Sequence, residues 1–187
     1  MSARLSFDGC VAVVTGAASG IGAALARALS DRGCHLALAD LNEAGLNEVA
    51  ASCARRDRTV TTSRIDVGDA DDIARFRDQV EADHGRADFL FNNAGVAVGG
   101  QFEDIPPADF DWLFAINFWG VVHMTRAFLP LLRQADEAHI TNISSLFGII
   151  APVGQTAYSA SKFAVRGFSD ALRHELAETS IGVTTVH

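Results

Sequence analysis

The chain of 187 residues contains one tyrosine and one lysine, and these two residues, Tyr158 and Lys162, lie four positions apart. Residues with that spacing project from the same face of a helix. A free phenol has a pKa of about 10, and a nearby ammonium group favours the phenolate. The pair is therefore suited to pass a proton to or from an alcohol or carbonyl oxygen. Two unrelated side chains on a surface helix would show the same spacing.

Two further polar positions could serve the same chemistry. Ser145 follows Ser144 at the end of a predicted strand and precedes Tyr158 by 13 residues. A hydroxyl there could bind a substrate oxygen where charge develops, although serines at a strand end also cap or turn the chain. Asn117 occupies a position in the apolar stripe of a predicted helix, and an unpartnered buried amide costs ~1–3 kcal/mol. It is therefore either a satisfied core amide or part of a site. The stripe consists of Phe110, Leu113, Phe114, Val121, Met124 and Phe128.

A glycine-rich turn, Thr15–Gly22, follows the first predicted strand. Its glycines at Gly16, Gly20 and Gly22 have the spacing Gly-x-x-x-Gly-x-Gly. Glycines let backbone N–H groups approach a pyrophosphate, which a helix N-terminus also favours. A tight turn without a ligand could use the same residues, but the position between a strand and a helix favours a dinucleotide site.

Acidic residues follow the next two predicted strands. Asp40 lies 18 residues after Gly22, where a carboxylate can accept both adenosine ribose hydroxyls and repel a 2′-phosphate. Because Thr15–Gly22 contains no Arg or Lys, NAD is favoured over NADP. Asp66 and Val67 could similarly flank the adenine ring. Each aspartate could instead cap the helix that follows it.

Short apolar runs alternate with helix-like stretches along the whole chain. The predicted strands are Cys10–Thr15, His35–Asp40, Thr59–Ile65, Asp88–Phe91, His139–Ser144 and Gly182–Val186. The predicted helices are Ile21–Arg32, Glu43–Ala54, Ala70–His84, Ala108–Arg133 and Thr156–Thr179. This alternation predicts an α/β fold with a doubly wound, Rossmann-like parallel sheet in three layers, α/β/α. The candidate residues lie at strand carboxyl ends or on the next helix, where such sheets bind ligands.

The composition excludes several classes of protein. Fifteen basic and 23 acidic side chains give a formal charge of −8, which argues against nucleic-acid or anionic-lipid partners. No apolar run reaches the ~18 residues of a membrane span, and Met1–Cys10 contains no apolar stretch of signal-peptide length. Cys10, Cys34 and Cys53 lack metal-ligand spacing and are expected to be small buried hydrophobes. We therefore expect a cytoplasmic protein without a metal site.

Together these segments resemble the short-chain dehydrogenase/reductase family in its single-domain form. The resemblance follows the family's order and spacing over essentially the whole chain. The matching segments are Thr15–Gly22, Asn92–Gly95, Asn117, Ser145 and Tyr158–Lys162. The resemblance implies an NAD(P)-dependent oxidoreductase that acts on CH–OH groups or on the corresponding carbonyls.

The resemblance also implies a role for each matching residue. Tyr158 would be the acid/base, Ser145 would bind the substrate oxygen, and Lys162 would hold the nicotinamide ribose hydroxyls and lower the pKa of Tyr158. Asn117 would position a water that links Lys162 to solvent, and Asn92 would support the central sheet. The implied cofactor-binding residues are Gly16, Ser19, Gly20, Ile21, Gly22, Asp40, Asp66, Val67, Asn93, Ala94, Gly95, Tyr158 and Lys162.

One departure from the family concerns the end of the chain. Family members continue after the sixth strand with a substrate loop and a further strand, whereas this sequence stops at His187. We therefore expect residues 1–187 to form one dinucleotide-binding and catalytic domain without those parts.

The expected partners are a small substrate and further copies of the chain. The substrate would be an alcohol or ketone, and an apolar one if the side chains after Ser145 form its wall rather than simply pack. These are Phe147, Ile149, Ile150 and Val153. Members of the family commonly associate as dimers or tetramers through their long helices, so the resemblance implies a homodimer or homotetramer. Small residues on the last predicted helix would allow close packing against the sheet or another subunit; they are Ala160, Ala164, Gly167 and Ala171.

Three other functions remain open. A non-catalytic dinucleotide-binding protein would need the glycine turn but not the Tyr158–Lys162 pair. An inactive truncated form would account for the abrupt end of the sequence. Sugar-nucleotide epimerases use similar groups, but they are longer relatives whose glycine turn is spaced differently.

Overall fold

The computed structural model describes residues 6–187. Residues 1–5, which belong to the segment considered above for a signal peptide, lie outside the described residues. The strands are β1 (Val11–Thr15), β2 (His35–Asp40), β3 (Val60–Arg64), β4 (Phe89–Asn92), β5 (Ala138–Ile143) and β6 (Ile181–Val186). The helices are α1 (Gly20–Asp31), α2 (Glu43–Cys53), α3 (Ala70–His84), α4 (Pro107–Phe114), α5 (Gly120–Leu132) and α6 (Thr156–Glu175).

The six strands form one parallel sheet in the order β3-β2-β1-β4-β5-β6. Apolar side chains cover both of its faces, in one cluster with α1 and α2 and in another with α3, α5 and α6. The predicted doubly wound α/β fold with three layers is therefore confirmed. The strand order reverses between β1 and β4, and the carboxyl ends of these strands open the crevice in which such folds bind ligands.

The central strands form because their sequences are short, apolar and rich in β-branched residues. Every residue of β1 is buried, as are the four central residues of β2, as expected for strands covered on both faces. The bounds of β2 and α3 agree with the prediction, and the other strands differ by one residue at one or both ends.

The prediction of one continuous helix over Ala108–Arg133 is wrong. A single π-helical turn, Ala115–Trp119, separates α4 from α5. Such turns bond each N–H one residue further back than in an α-helix and occur frequently at functional sites. The spacing of apolar residues does not report this local change, because side chains on both sides of it still face the core.

Buried amides join the sheet to the helices on one face. Asn92 on β4 and Asn142 on β5 lie opposite each other in register, and Asn92 Nδ2 donates to Asn142 Oδ1 at 2.8 Å. Asn92 Nδ2 also donates to Thr125 Oγ1 on α5 at 3.2 Å, and Asn142 Nδ2 donates to Ser169 Oγ on α6 at 2.9 Å. These bonds attach α5 at Thr125 and the C-terminal half of α6 at Ser169 to the sheet.

The three cysteines are free thiols. Cys34 and Cys53 are buried as expected, whereas Cys10 is only half-buried. Burial raises the pKa of the Cys34 thiol to about 12. Within residues 6–187, no group of three or more His, Cys, Asp or Glu side chains could hold a metal ion. In that part of the chain no helix is long and apolar enough to cross a membrane.

Candidate active site

The turn after β1 can be built only with glycine at two positions. Gly16 has φ +65°, and a β-carbon there would lie 2.8 Å from Ala94 Cα. A β-carbon on Gly22 would overlap the carbonyl oxygen of Gly16 and lie 2.6 Å from Asn93 Nδ2. Gly22 therefore allows α1 to pack closely beneath the turn.

The turn after β4 is pinned to the turn after β1. Asn93 Nδ2 donates to the carbonyl oxygens of Thr15 and Gly16 at 3.0 and 3.1 Å. Thr15 Oγ1 accepts hydrogen bonds from the backbone N–H groups of Asn93 and Ala94, both at 3.1 Å. The two turns thus form one rigid edge where the strand order reverses.

A cleft of about 380 Å³ opens along this edge. Its lining residues are Gly16, Ser19, Gly20, Ile21, Asp40, Leu41, Ile65, Asp66, Val67, Asn93, Ala94, Gly95, Val96 and Ile116. The cleft thus brings together all the predicted cofactor residues except Gly22, Tyr158 and Lys162. The sequence did not assign four apolar lining residues to the cleft, since apolar residues beside a strand end carry no distinctive signal; these are Leu41, Ile65, Val96 and Ile116.

The N-terminus of α1 opens into the cleft without a competing anion. Ser19 is the N-cap residue, and its side chain makes no capping hydrogen bond. The first turn of α1 carries no acidic side chain. Its free N–H groups and the positive end of the helix dipole suit a phosphate group.

Asp40 and Asp66 line the cleft and do not cap the helices that follow them. Asp40 accepts hydrogen bonds from the N–H groups of Ala18 and Asn42, at 3.0 and 2.9 Å. Asn42 is the N-cap residue of α2, and Asp69 is that of α3. The capping alternative is therefore wrong for both aspartates. None of the residues lining the cleft is basic.

Tyr158 and Lys162 lie together on α6, and Lys162 reaches the cleft wall. Lys162 Nζ is 5.7 Å from the centre of the Tyr158 ring and donates to the carbonyl oxygen of Ile143 at 2.9 Å. A β-carbon on Gly95 would lie 3.5 Å from the same nitrogen. The lysine is only 4% exposed, and this desolvation lowers its pKa to about 8.

The two serines after β5 have different environments. Ser144 is buried, and its Oγ donates to the backbone oxygen of Lys162 at 3.0 Å. Ser145 Oγ accepts from the N–H of Phe147 at 3.1 Å, which leaves its hydroxyl proton able to donate. The Phe147 ring in turn packs edge-to-face on Tyr158, with ring centres 6.0 Å apart. The Ser145 turn and Tyr158 are thus held side by side.

Asn117 lies on the π-helical turn, fully buried and hydrogen-bonded. Its Oδ1 accepts from Val96 N at 2.8 Å, and its Nδ2 donates to Val96 O at 2.9 Å and to Ser161 Oγ at 3.2 Å. Both amide protons are therefore committed. Only the second lone pair of Oδ1 is left for a water.

Ser161 and the Val96 backbone are site components that sequence reasoning missed. Ser161 lies three residues after Tyr158, a spacing that places both on one side of a helix. That spacing was the only available signal, and it does not show which group the hydroxyl binds.

Apolar side chains after Ser145 remain open to solvent. Ile149, Ile150 and Val153 are 48%, 49% and 85% exposed. These three side chains therefore do not serve to pack the core of residues 6–187. They are free to contact another molecule.

The chain is similar to known proteins along nearly its full length. A family model described as short chain dehydrogenase matches residues 10–187. SadH of Mycobacterium tuberculosis, which is named as an oxidoreductase, is 44% identical over 184 residues, covering 97% of this chain and 67% of SadH.

Two solved structures have the same fold. A short-chain dehydrogenase/reductase from Burkholderia phymatum in complex with NAD has a TM-score of 0.94 and 35% identity, over 97% of this chain and 66% of that one. A metagenomic short-chain oxidoreductase in complex with NADP has a TM-score of 0.91 and 37% identity, over 97% and 82% of the two chains. This chain thus spans about two thirds of the length of SadH and of the Burkholderia protein. With the glycine turn, the cleft and the Tyr158–Lys162 pair in place, these matches show that the chain belongs to the short-chain dehydrogenase family.

Proposed function

We propose that this protein is an oxidoreductase that transfers a hydride between a nicotinamide dinucleotide and an alcohol or ketone. The position of Lys162 Nζ carries the proposal. It lies 5.7 Å from the Tyr158 ring centre and within contact distance of a β-carbon placed on Gly95, which lines the cleft. One buried ammonium group thus adjoins both the candidate proton donor and the candidate cofactor site.

The residues present fit a dinucleotide. The glycine turn leaves backbone N–H groups at the start of α1 free for a pyrophosphate, and the missing β-carbons of Gly16 and Gly22 let the turn pack closely against Asn93 and against its own backbone. Asp40 and Asp66 would hold the adenosine part. Because the cleft wall contains two carboxylates and no basic side chain, we propose NAD rather than NADP. The bound nicotinamide would supply the hydride chemistry.

Each polar residue near Tyr158 has a proposed task. The Tyr158 hydroxyl passes a proton to or from the substrate oxygen, to which the free proton of Ser145 Oγ donates. Lys162 binds the nicotinamide ribose hydroxyls and, as an ammonium, stabilises negative charge on the Tyr158 oxygen. Asn117 contributes the free lone pair of Oδ1 to a water that connects Lys162 with solvent. These roles place cofactor binding and catalysis in one domain.

The proposed substrate is a small apolar alcohol or ketone. The segment from Ser145 to Ala160 contains no charged residue, and Ile149, Ile150 and Val153 offer exposed apolar surface along it. A wall of this kind gains from burial of hydrocarbon. It provides no cation that would bind a carboxylate or a phosphate.

We also propose a cytoplasmic homodimer or homotetramer. Of the small residues on α6, Ala160, Gly167 and Ala171 are exposed, so they do not serve packing against the sheet. A β-carbon on Gly167 would meet nothing within 4 Å. That side of α6 can therefore approach a second subunit closely.

Turnover and cofactor binding, measured side by side, test the proposal. The protein is assayed with NAD and with NADP against a series of secondary alcohols, and in the reverse direction with the matching ketones. Binding of NADH and NADPH is followed by their fluorescence. Turnover that is faster with NAD than with NADP supports the proposed NAD-dependent oxidoreductase. Tight NADH binding without turnover of any substrate would instead support the non-catalytic alternative, and the absence of both would indicate an inactive form.

A further inference from the structure

Ser161 links two parts of the site through a single hydroxyl group. The side chain is fully buried. Its Oγ accepts a hydrogen bond from Asn117 Nδ2 at 3.2 Å and donates one to the backbone oxygen of Tyr158 at 2.8 Å. The π-helical turn is thereby joined to the first turns of α6, which carry the tyrosine.

The same chain of hydrogen bonds continues to the wall of the cleft. The other bonds of the Asn117 amide, at 2.8 and 2.9 Å, both go to the backbone of Val96. Val96 lines the cleft and follows Gly95, against which Lys162 Nζ is packed. A connected path therefore runs from the proposed cofactor wall through Asn117 and Ser161 to Tyr158.

The donor or acceptor role of each group along this path is fixed by its chemistry. The N–H of Val96 can only donate, so Oδ1 of Asn117 must face it and Nδ2 must face Ser161. Because an amide N–H can only donate, Ser161 Oγ accepts and its own proton is directed to the carbonyl oxygen of Tyr158. The position therefore requires a group that accepts and donates at once, which a hydroxyl does and a methyl group does not.

We propose that Ser161 is a positioning residue that sets the place of Tyr158 relative to the cofactor wall. The inference rests on the proposed function, since it concerns the proton-transfer group of that reaction. Reaction rates depend steeply on such geometry, and a displacement of ~1 Å can cost ~100-fold in rate. Ser161 acts through Tyr158 and does not itself meet the substrate.

The same helix offers two matched controls. Ser159 is 3% exposed, and its Oγ has no hydrogen-bond partner among residues 6–187. Ser169 is fully buried; its Oγ donates to Val165 O at 2.7 Å and accepts from Asn142 Nδ2. Ser159→Ala therefore removes a buried hydroxyl without removing a bond. Ser169→Ala removes two bonds outside the site.

The experiment compares Ser161→Ala and Ser161→Thr with these two controls. For each variant kcat, KM for cofactor and substrate, and Tm are measured. We expect Ser161→Ala to lower kcat by ~10-fold or more and to leave KM for the cofactor within about twofold, because the cleft lining is unchanged. Ser161→Thr, which keeps the hydroxyl, restores most of kcat. Ser169→Ala lowers Tm without lowering kcat, and Ser159→Ala lowers neither, because it removes a buried hydroxyl that has no partner.

Two results would overturn the proposal. One is an unchanged kcat in Ser161→Ala. The other is an equal loss of kcat in Ser161→Ala and Ser169→Ala without rescue by threonine, since loosening of α6 alone would then explain the loss. If the alanine variant does not fold, Ser161→Cys gives the same comparison, because a thiol keeps the volume but is a weak donor and acceptor.

A spectroscopic measurement separates failure of this inference from failure of the proposed function. Tyr158 is the only tyrosine of the chain, so phenolate absorbance in the near ultraviolet reports on this residue alone. If the wild-type protein has no turnover, the proposed function fails, but the titration can still be compared. A midpoint that shifts in Ser161→Ala and not in Ser169→Ala supports the positioning role, and identical midpoints overturn it.

Discussion

The side-chain nitrogen of Lys162 lies against Gly95, whose β-carbon, if present, would be 3.5 Å from it. The contact brings the buried charge on α6 to the wall of the cleft that begins at the glycine turn. A β-carbon at position 95 would touch the lysine nitrogen at an ordinary contact distance and would lie more tightly, at 3.3 Å, against Asn117 Oδ1. The glycine in the turn after β4 thus lets this turn lie directly against both side chains.

Burial of Lys162 makes stability depend on pH. Its pKa falls from the usual 10.5 to about 8 in the folded protein. Between these values the unfolded chain binds a proton that the folded chain has released, so the free energy of unfolding rises with pH. Below pH 8 the ammonium is present in both the folded and the unfolded state, so Lys162 causes no change of the free energy of unfolding with pH there. From pH 8 to 9 Lys162 alone is expected to contribute a rise of ~1 kcal/mol.

Lys162→Met should remove this rise, because it keeps an unbranched side chain without the charge. Urea unfolding at several pH values between 7.5 and 9 measures the effect. In the same range the thiols of Cys10, Cys34 and Cys53, whose pKa values burial raises, contribute an opposite slope in both proteins. The effect of Lys162 is therefore the difference between the two pH profiles, and identical profiles in wild type and variant would show that Lys162 is not responsible.

Tyr158→Phe should abolish turnover and leave NADH binding intact. Only the hydroxyl is lost, and general acid–base catalysis is worth ~10²–10⁴-fold in rate. The edge-to-face contact with Phe147 does not involve that hydroxyl, so the local packing should persist. Steady-state kcat and an NADH fluorescence titration check both parts, and appreciable turnover in the variant would remove Tyr158 from the mechanism.

Asp40→Asn should shift the ratio of kcat/KM for NAD over NADP towards NADP by ~10-fold. Ala18 N and Asn42 N donate to different carboxylate oxygens, so asparagine keeps one of these two bonds, while the repulsion of a 2′-phosphate disappears. Asp69→Asn is the matched control, because Asp69 caps α3 and does not line the cleft. A ratio unchanged by Asp40→Asn would contradict the ribose assignment.

Alanine at two helical glycines should have opposite effects on stability. In Gly167→Ala the added β-carbon meets nothing within 4 Å in the single chain, so the variant should stabilise the monomer by ~0.5–1 kcal/mol, since alanine is the better helix former. Gly22→Ala on α1 would press a methyl group into the Gly16 carbonyl. It should destabilise the protein by ~1–3 kcal/mol and weaken NADH binding. Denaturant midpoints measure the stability of both variants, and a fluorescence titration measures NADH binding by Gly22→Ala.

The strand and helix pattern could be predicted because it follows from local sequence. The apolar run of β2 and the amphipathic repeat of α3 end where the structure ends them. The π-helical turn at Ala115–Trp119 was not predictable, since it changes hydrogen bonding without changing which side chains face the core. For Asn117 the sequence indicated a buried amide in need of partners. It could not show that the backbone of Val96 supplies most of them.

The choice between roles for Asp40 and Asp66 also required three-dimensional structure. Either residue could have capped a helix, and the capping positions belong to Asn42 and Asp69 instead. Ser161 shows the same limit, because its spacing from Tyr158 is visible in the sequence and its bond to Asn117 is not.

The hydrogen bond between the Asn92 and Asn142 amides favours the correct register of β5 against β4 during folding. If β5 slid by one residue along β4, its side chains would exchange faces, and Asn142 would turn away from Ser169. Asn92 would keep only its bond to Thr125. The stranded Asn142 amide would cost ~1–3 kcal/mol, so the shifted pairing is disfavoured.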